Sequence, residues 1–401
     1  MPATIDKQTD EEARLADETA RLAELEERTG KVESREGLAI AFAVVALGLI
    51  IGLGALLISL TRDSGGGDAA VAPAASSEPA PAVDETDPSH DYATDHGAAP
   101  APTPVEPYRR PDPTLPAVPA GAVKKFRVDV YEHVTRVSKE QPPTRVWSYG
   151  VNGDFNRGTG VSTPMVVEQG DKVEITLVNG ANKKMDVQFP HSIDYHSSEV
   201  APNEAFKTIE PGKTHRFSFV AKHPGVFMYH CATDPVLMHT GAGMVGMMIV
   251  KPKNLAPVDR ELWITQQEFY VGKPKADPDP NLMAKKDPNV IAFNGFAAQY
   301  KDNPIAVERG ERIRMYVLNA GPSVWSAFHV IGTVFDKTHV EGTTGTHAQT
   351  INLAPSQGGW VEFTLDAEGT YPFVTHGFGD MVKGAVGVLA TANAPEAAMK
   401  H

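Results

Sequence analysis

From residue 123 onward, short runs alternate apolar and polar side chains, as in "DKVEITLVNG" (171–180) and "HRFSFVAKHPGVFMYH" (215–230). Gly, Pro and Asn turns separate them. A period of two sends successive side chains to opposite faces, so the pattern predicts many short, half-buried strands. The pattern also repeats. "VEQGDKVEITLVN" (167–179) matches "VERGERIRMYVLN" (307–319), and "PHSI" (190–193) matches "FHVI" (328–331). "IEPGKTHRFSFVAKHPGVFMYH" (209–230) matches "LAPSQGGWVEFTLDAEGTYPFVTH" (353–376), and "GMVGMMIV" (243–250) matches "GAVGVLAT" (384–391). One all-β sandwich is therefore expected twice in tandem, over 123–253 and 258–395.

The first 122 residues follow other rules. Residues 37–61, "GLAIAFAVVALGLIIGLGALLISLT", form an uncharged apolar run long enough to cross a bilayer as a helix. A cleaved signal peptide is the competing reading. The long polar segment before the run, and the lack of a small-x-small site after it, favour an uncleaved anchor. Lys31 and Arg35 precede it, whereas Arg62 is the only basic residue after it until Arg109. That bias points to an inside N-terminus and an exported, extracytoplasmic body. Within the charged N-terminal segment 1–36, residues 11–33 read as a helix with a loose heptad of Leu15, Leu22, Leu25 and Val32, either solvated or weakly self-associating. Residues 62–122, rich in Pro and Ala, read as an extended, disordered tether in which His90 and His96 are solvated.

Charge narrows the partners. The chain carries a formal −13, but 123–395 holds 27 Lys and Arg against 28 Asp and Glu, so the acidity belongs to the N-terminal part. A near-neutral body without a basic stripe excludes nucleic acid as an expected partner.

The chemistry concentrates in "FMYHCATDPVLMHTGAGM" (227–244), which contains the only cysteine in 401 residues. Alone, Cys231 reads as a small buried hydrophobe. With His239 and Met244 following, and His191 on an earlier strand, it reads as a copper ligand. Two imidazoles, a thiolate and a weak thioether suit a type 1 copper that shuttles one electron. If Cys231 faces the core of its own sandwich, strand alternation turns His230 outward. His196 is a second spare histidine. A catalytic metal site commonly takes three protein ligands and an open position. His376, the repeat equivalent of His230, is the candidate third; Gly377 stands where the first copy has Cys231. His133, His215, His223, His339 and His347 match no ligand position and are expected at the surface, while Met247 and Met248 read as core.

Together, "PHSIDYH", "YHCATDPVLMHTGAGM", "AFHVIGTVFD" and "FVTHGFGDMVKGA" resemble the copper-containing nitrite reductases, over about residues 123–395. They are most similar to the class with a short Cys-to-His loop, known from outer-membrane-anchored relatives. The resemblance implies two tandem cupredoxin-like Greek-key domains in a homotrimer, with one type 1 and one type 2 copper per subunit. Type 1 copper would take His191, Cys231, His239 and Met244. Type 2 copper would take His196 and His230 from one subunit and His376 from the next. It further implies Asp194 and His329 as catalytic residues and Ile331 as the residue capping the substrate copper. The implied reaction reduces nitrite to nitric oxide, with electrons from an external cupredoxin or cytochrome c-type donor. They would pass from type 1 to type 2 copper across the His230–Cys231 bond. Two departures stand out. Ser192 replaces the usual Asn after the first ligand, and the family's Pro-Gly turn before "VEQGD" is not evident.

Two other readings stay open. A two-domain multicopper oxidase reducing oxygen needs His-x-His pairs, whereas Ala232 follows Cys231 and no His-x-His occurs in the chain. A tethered cupredoxin electron carrier needs only the first ligand set and leaves Asp194, His196, His329 and His376 unexplained.

Overall fold

A computed structural model of the chain describes residues 104–154, 161–180 and 187–394. The expected N-terminal helix, the apolar run 37–61 and most of the tether lie outside the described residues. Among the described residues no helix is long and apolar enough to cross a membrane.

The first repeat folds into β1 (Val123–Thr135), β2 (Thr144–Val151), β3 (Met165–Glu168), β4 (Lys172–Asn179), β5 (Asp194–Tyr195), β6 (Thr214–Val220), β7 (Gly225–His230) and β8 (Val245–Lys251). They form two sheets, β2-β1-β4-β6 and β3-β8-β7-β5. β4 shows why: Val173, Ile175 and Leu177 point into the core while Lys172, Glu174 and Thr176 point out. The core between the sheets includes Phe126, Val128, Ile175, Leu177, Tyr229 and Met248. Burying these side chains is the main favourable term, at roughly 1.5–3 kcal/mol for each large aliphatic one.

The second repeat supplies β9 (Arg260–Phe269), β10 (Val290–Phe293), β11 (Ile305–Val307), β12 (Arg312–Asn319), β13 (Ser326–Val330), β14 (Lys337–Val340), β15 (Thr343–Gly345), β16 (Ile351–Leu353), β17 (Gly358–Thr364), β18 (Thr370–Thr375) and β19 (Val386–Thr391). Its sheets run β10-β9-β12-β17-β14-β15 and β11-β19-β18-β13-β16. The pairings of the first repeat recur. β1 lies parallel to β4 as β9 lies parallel to β12, and β3 parallel to β8 as β11 to β19. β7 and β8 pair antiparallel, as do β18 and β19. The sheets are thus all-β and cupredoxin-like, and the internal repeat of the sequence is a repeat of topology.

The two sandwiches share a third apolar cluster, which joins Val226, Met228 and Met247 to Trp263, Tyr316 and Trp360. The fit is close. A Cβ on Gly358 of β17 would sit 2.5 Å from the carbonyl oxygen of Val226 in β7. This packing covers the face of β7 behind the ligand-bearing end of the strand.

Two expectations need correction. Residues 104–122 are not a free tether. Trp263 donates its backbone N–H to Pro113 O at 2.9 Å and its indole N–H to Asp112 O at 3.0 Å, and Leu115 N donates to Glu261 O at 3.0 Å. A proline-rich segment cannot donate many hydrogen bonds, but its carbonyls satisfy the open edge of β9, which composition alone does not reveal. His133 and His339 are also not surface residues. His133 is buried and stacks on Tyr131, while His339 is buried with its ring stacked on Trp360 at 3.9 Å. The strand around His133 is covered on both faces, so no polar position marks an outside there.

Candidate metal centres

β7 ends at His230, and Cys231 is the next residue. The alternation of the strand carries past its end. Cys231 is completely buried, and His230 turns to the partly exposed side. The two neighbours serve two different clusters of donor atoms.

In the inner cluster, Cys231 Sγ lies 3.3 Å from His239 Nδ1 and 3.9 Å from His191 Nδ1, and the two Nδ1 atoms are 3.1 Å apart. All three residues are fully buried. His191 enters from the segment before β5. His239 sits in the short helix Val236–Gly241, and the segment after that helix returns to β8. Met244 closes the loop by backbone bonds: its N–H donates to His239 O, and its carbonyl accepts from Cys231 N, both at 3.1 Å. Its side chain is wholly buried in the same core.

The sulfur is prepared to be an anion. Burial alone would raise the Cys231 thiol, but the facing His239 and His191 imidazoles outweigh it and hold the group well below the usual thiol range. Ser192 adds a backbone N–H aimed at the sulfur at 3.4 Å. The Ser192 hydroxyl oxygen accepts from Ala232 N and from Thr233 Oγ1, each at 3.0 Å. Serine therefore fixes the cysteine and the two residues that follow it, a role its position alone did not reveal. Two imidazole nitrogens and one thiolate converging in a fully buried site, with a buried thioether in the same loop, fit copper as a one-electron centre.

The outer cluster is built from the other face of the strand. His230 Nε2 lies 3.1 Å from His196 Nε2 and 3.7 Å from Asp194 Oδ2. His230 is oriented by its Nδ1, which donates to Cys231 O at 2.8 Å and leaves Nε2 facing its neighbours. Asp194 and His230 are directly paired across β5 and β7, so sheet register brings the carboxylate to the imidazole. Burial raises the Asp194 carboxyl above the ordinary range despite the two histidines beside it. Burial and then His230 lower His196. A cavity of about 380 Å³ adjoins the pair, and its walls include Met228 and Leu237 of the first sandwich and Pro322 and Pro355 of the second.

The remaining candidates lie elsewhere on the chain. His329 on β13 and His376 after β18 sit together, ring centroids 5.2 Å apart. His329 Nδ1 bonds the Gln349 carbonyl, and burial lowers its affinity for a proton. His376 is exposed, with the Phe378 ring tilted against it at 5.0 Å, and Ile331 is 42% exposed. Within one chain His376 is not part of the Asp194–His196–His230 cluster. Sequence reasoning missed Glu132, whose Oε1 lies 3.2 Å from His191 Nε2. Fifty-nine positions separate the two in the chain, and nothing local links them.

A family model described as multicopper oxidase matches residues 133–255. The chain is 38% identical over 234 residues to the copper-containing nitrite reductase of Neisseria gonorrhoeae, covering 56% of this chain and 59% of that protein. It thus spans about three-fifths of the length of the curated relatives it matches. The solved copper nitrite reductase of Nitrosomonas europaea superposes with a TM-score of 0.61 at 28% identity, covering 68% of this chain and 94% of that one. The Cu-containing nitrite reductase of Thermus scotoductus SA-01 gives 0.59 at 31%, covering 69% and 64%. A multicopper oxidase at 21% identity shares the fold. The resemblance read from the motifs holds in both sequence and structure.

Replacing Cys231 by Ala should abolish the visible thiolate-to-copper band of the copper-loaded protein and spare the copper held by the outer histidines. Absorption spectra with metal analysis check this. A variant that keeps the band would show that the thiolate binds no copper.

Proposed function

We propose that this protein is a copper-dependent, nitric oxide-forming nitrite reductase. It consumes nitrite, two protons and one electron and releases nitric oxide and water. The observation that carries the reading is the His230–Cys231 peptide, which joins an inner electron-storing donor set to an outer, accessible one through covalent bonds. Similarity to proteins named copper-containing nitrite reductases supports it.

The inner ligands are assigned as His191, Cys231, His239 and Met244, and the outer ones as His196 and His230 with His376 of a second copy. Copper held by these residues would supply one-electron redox chemistry and, at the outer set, Lewis acidity toward a nitrite oxygen. The chain's own groups do the rest. Asp194, beside both outer histidines, hydrogen-bonds the substrate and delivers a proton. His329 supplies the second proton, and Ile331 limits how the small anion sits. We assign 37–61 as a membrane anchor that leaves both sandwiches on the extracytoplasmic side, where a soluble cupredoxin or cytochrome c-type protein delivers electrons.

The multicopper oxidase match gives one observation for an oxygen-reducing alternative. Against it, the outer cluster of described residues contains two histidines and an aspartate, with no His-x-His pair to hold a trinuclear centre. A pure electron carrier has no use for the outer cluster.

We read the outer pair as completed in a closed ring of three chains, in which each pair takes a neighbour's His376. Two experiments check this account. Asp194→Asn should retain copper yet lose about 10²–10⁴-fold in nitrite turnover, since an amide cannot pass a proton. Near-normal turnover at full copper content would remove Asp194 from the reaction. Mixing His376→Ala chains with His196→Ala chains, each inactive alone, should restore partial activity, because one junction then holds all three histidines. Activity from a strictly monomeric protein would contradict the ring.

A further inference from the structure

Behind the inner donor set lies a buried ion pair that the reaction above does not use. Glu132 on β1 and Arg145 on β2 are 2% and 1% exposed. Arg145 Nη1 donates to Glu132 Oε2 at 3.2 Å, and Glu132 Oε1 lies 3.2 Å from His191 Nε2. The same oxygen accepts the backbone N–H groups of Gln188 at 3.0 Å and Phe189 at 3.3 Å, just ahead of His191 in the chain. Arg145 is held in turn by the second sandwich: its N–H donates to Ala276 O at 2.9 Å, and its Nε lies 3.8 Å from Asp277 Oδ1. Trp147, whose indole N–H donates to Asp277, presents its ring edge-on to both His191 and His239.

A buried charged pair carries a large desolvation cost, and a well-packed apolar pair is often as stable or more so. Its placement therefore calls for a reason other than stability. We propose that Glu132, clamped by Arg145, is the positioning residue of the inner metal site: it fixes the orientation of His191 and lowers the reduction potential of the metal bound there. The inference rests on the copper reading of the inner set.

Two physical effects carry it. A carboxylate can only accept, so it takes the proton of His191 Nε2 and leaves Nδ1, the atom facing the sulfur, as the lone-pair donor. The carboxylate also stands between the imidazole and the guanidinium, so its negative charge is the nearer one to the metal. In a buried site that charge is little screened, and it favours the more positive, oxidised metal. Asp277 extends the clamp to the second sandwich, so the orientation of His191 depends on how the two sandwiches are packed.

The test uses copper-loaded full-length protein and reads the midpoint potential through the thiolate-to-copper band, with copper affinity measured by competition. Glu132→Gln keeps an acceptor for His191 but loses the charge. It should keep the band, raise the potential and weaken copper binding about 10–100-fold. Because this change removes one charge partner of Arg145, the Glu132→Gln/Arg145→Met double variant is measured beside it. That variant removes both buried charges and should show a smaller rise in potential. A folded variant with the parental potential and affinity would overturn the proposal alone. A parent protein that takes up copper without the band would overturn the metal reading and this proposal with it.

Discussion

The structure turns on the opposed directions of two neighbouring side chains at the end of β7. A strand cannot send successive residues to the same side. With Cys231 committed to the core, His230 is committed to the outside, and each meets its own set of donors. The two clusters are therefore fixed relative to each other by one peptide unit and by the ladder that holds β7 between β5 and β8. Any shift of the strand would disturb both.

Duplication explains what surrounds this strand. The second sandwich repeats the topology of the first, yet Gly377 follows its equivalent histidine, so no cysteine stands at that position. That core is filled instead by apolar side chains such as Phe328, Phe363 and Phe373. Freed from holding a buried donor set, the second copy keeps exposed His376 and half-buried His329 at its surface, and it lends Trp360 to the packing behind β7 and Asp277 to Trp147 on β2. One copy holds the inner donors and the other supports them.

Much of this was legible in the sequence because it rests on local periodicity. The alternation of β4 and β12, the matched segments of the repeat, and the tight spacing of Cys231, His239 and Met244 are all short-range features. What stayed hidden depends on contacts between distant segments. Glu132 reads as an ordinary charged strand residue until β1 is placed against the segment that carries His191. Residues 128–135 and all of β2 are buried on both faces, so alternation vanishes there and His133 could not be recognised as interior. The docking of residues 104–122 depends on the free edge of β9, which no property of a proline-rich composition encodes.

The most direct measurement is nitric oxide release from nitrite by purified, copper-loaded protein supplied with a one-electron reductant, with metal content and the visible spectrum recorded on the same sample. The account predicts nitrite-dependent nitric oxide from protein holding copper at both donor sets, with the thiolate band bleaching on reduction and returning when nitrite is added. Protein that holds copper at both sets, bleaches on reduction, and then neither recovers its colour nor releases nitric oxide on adding nitrite would contradict it.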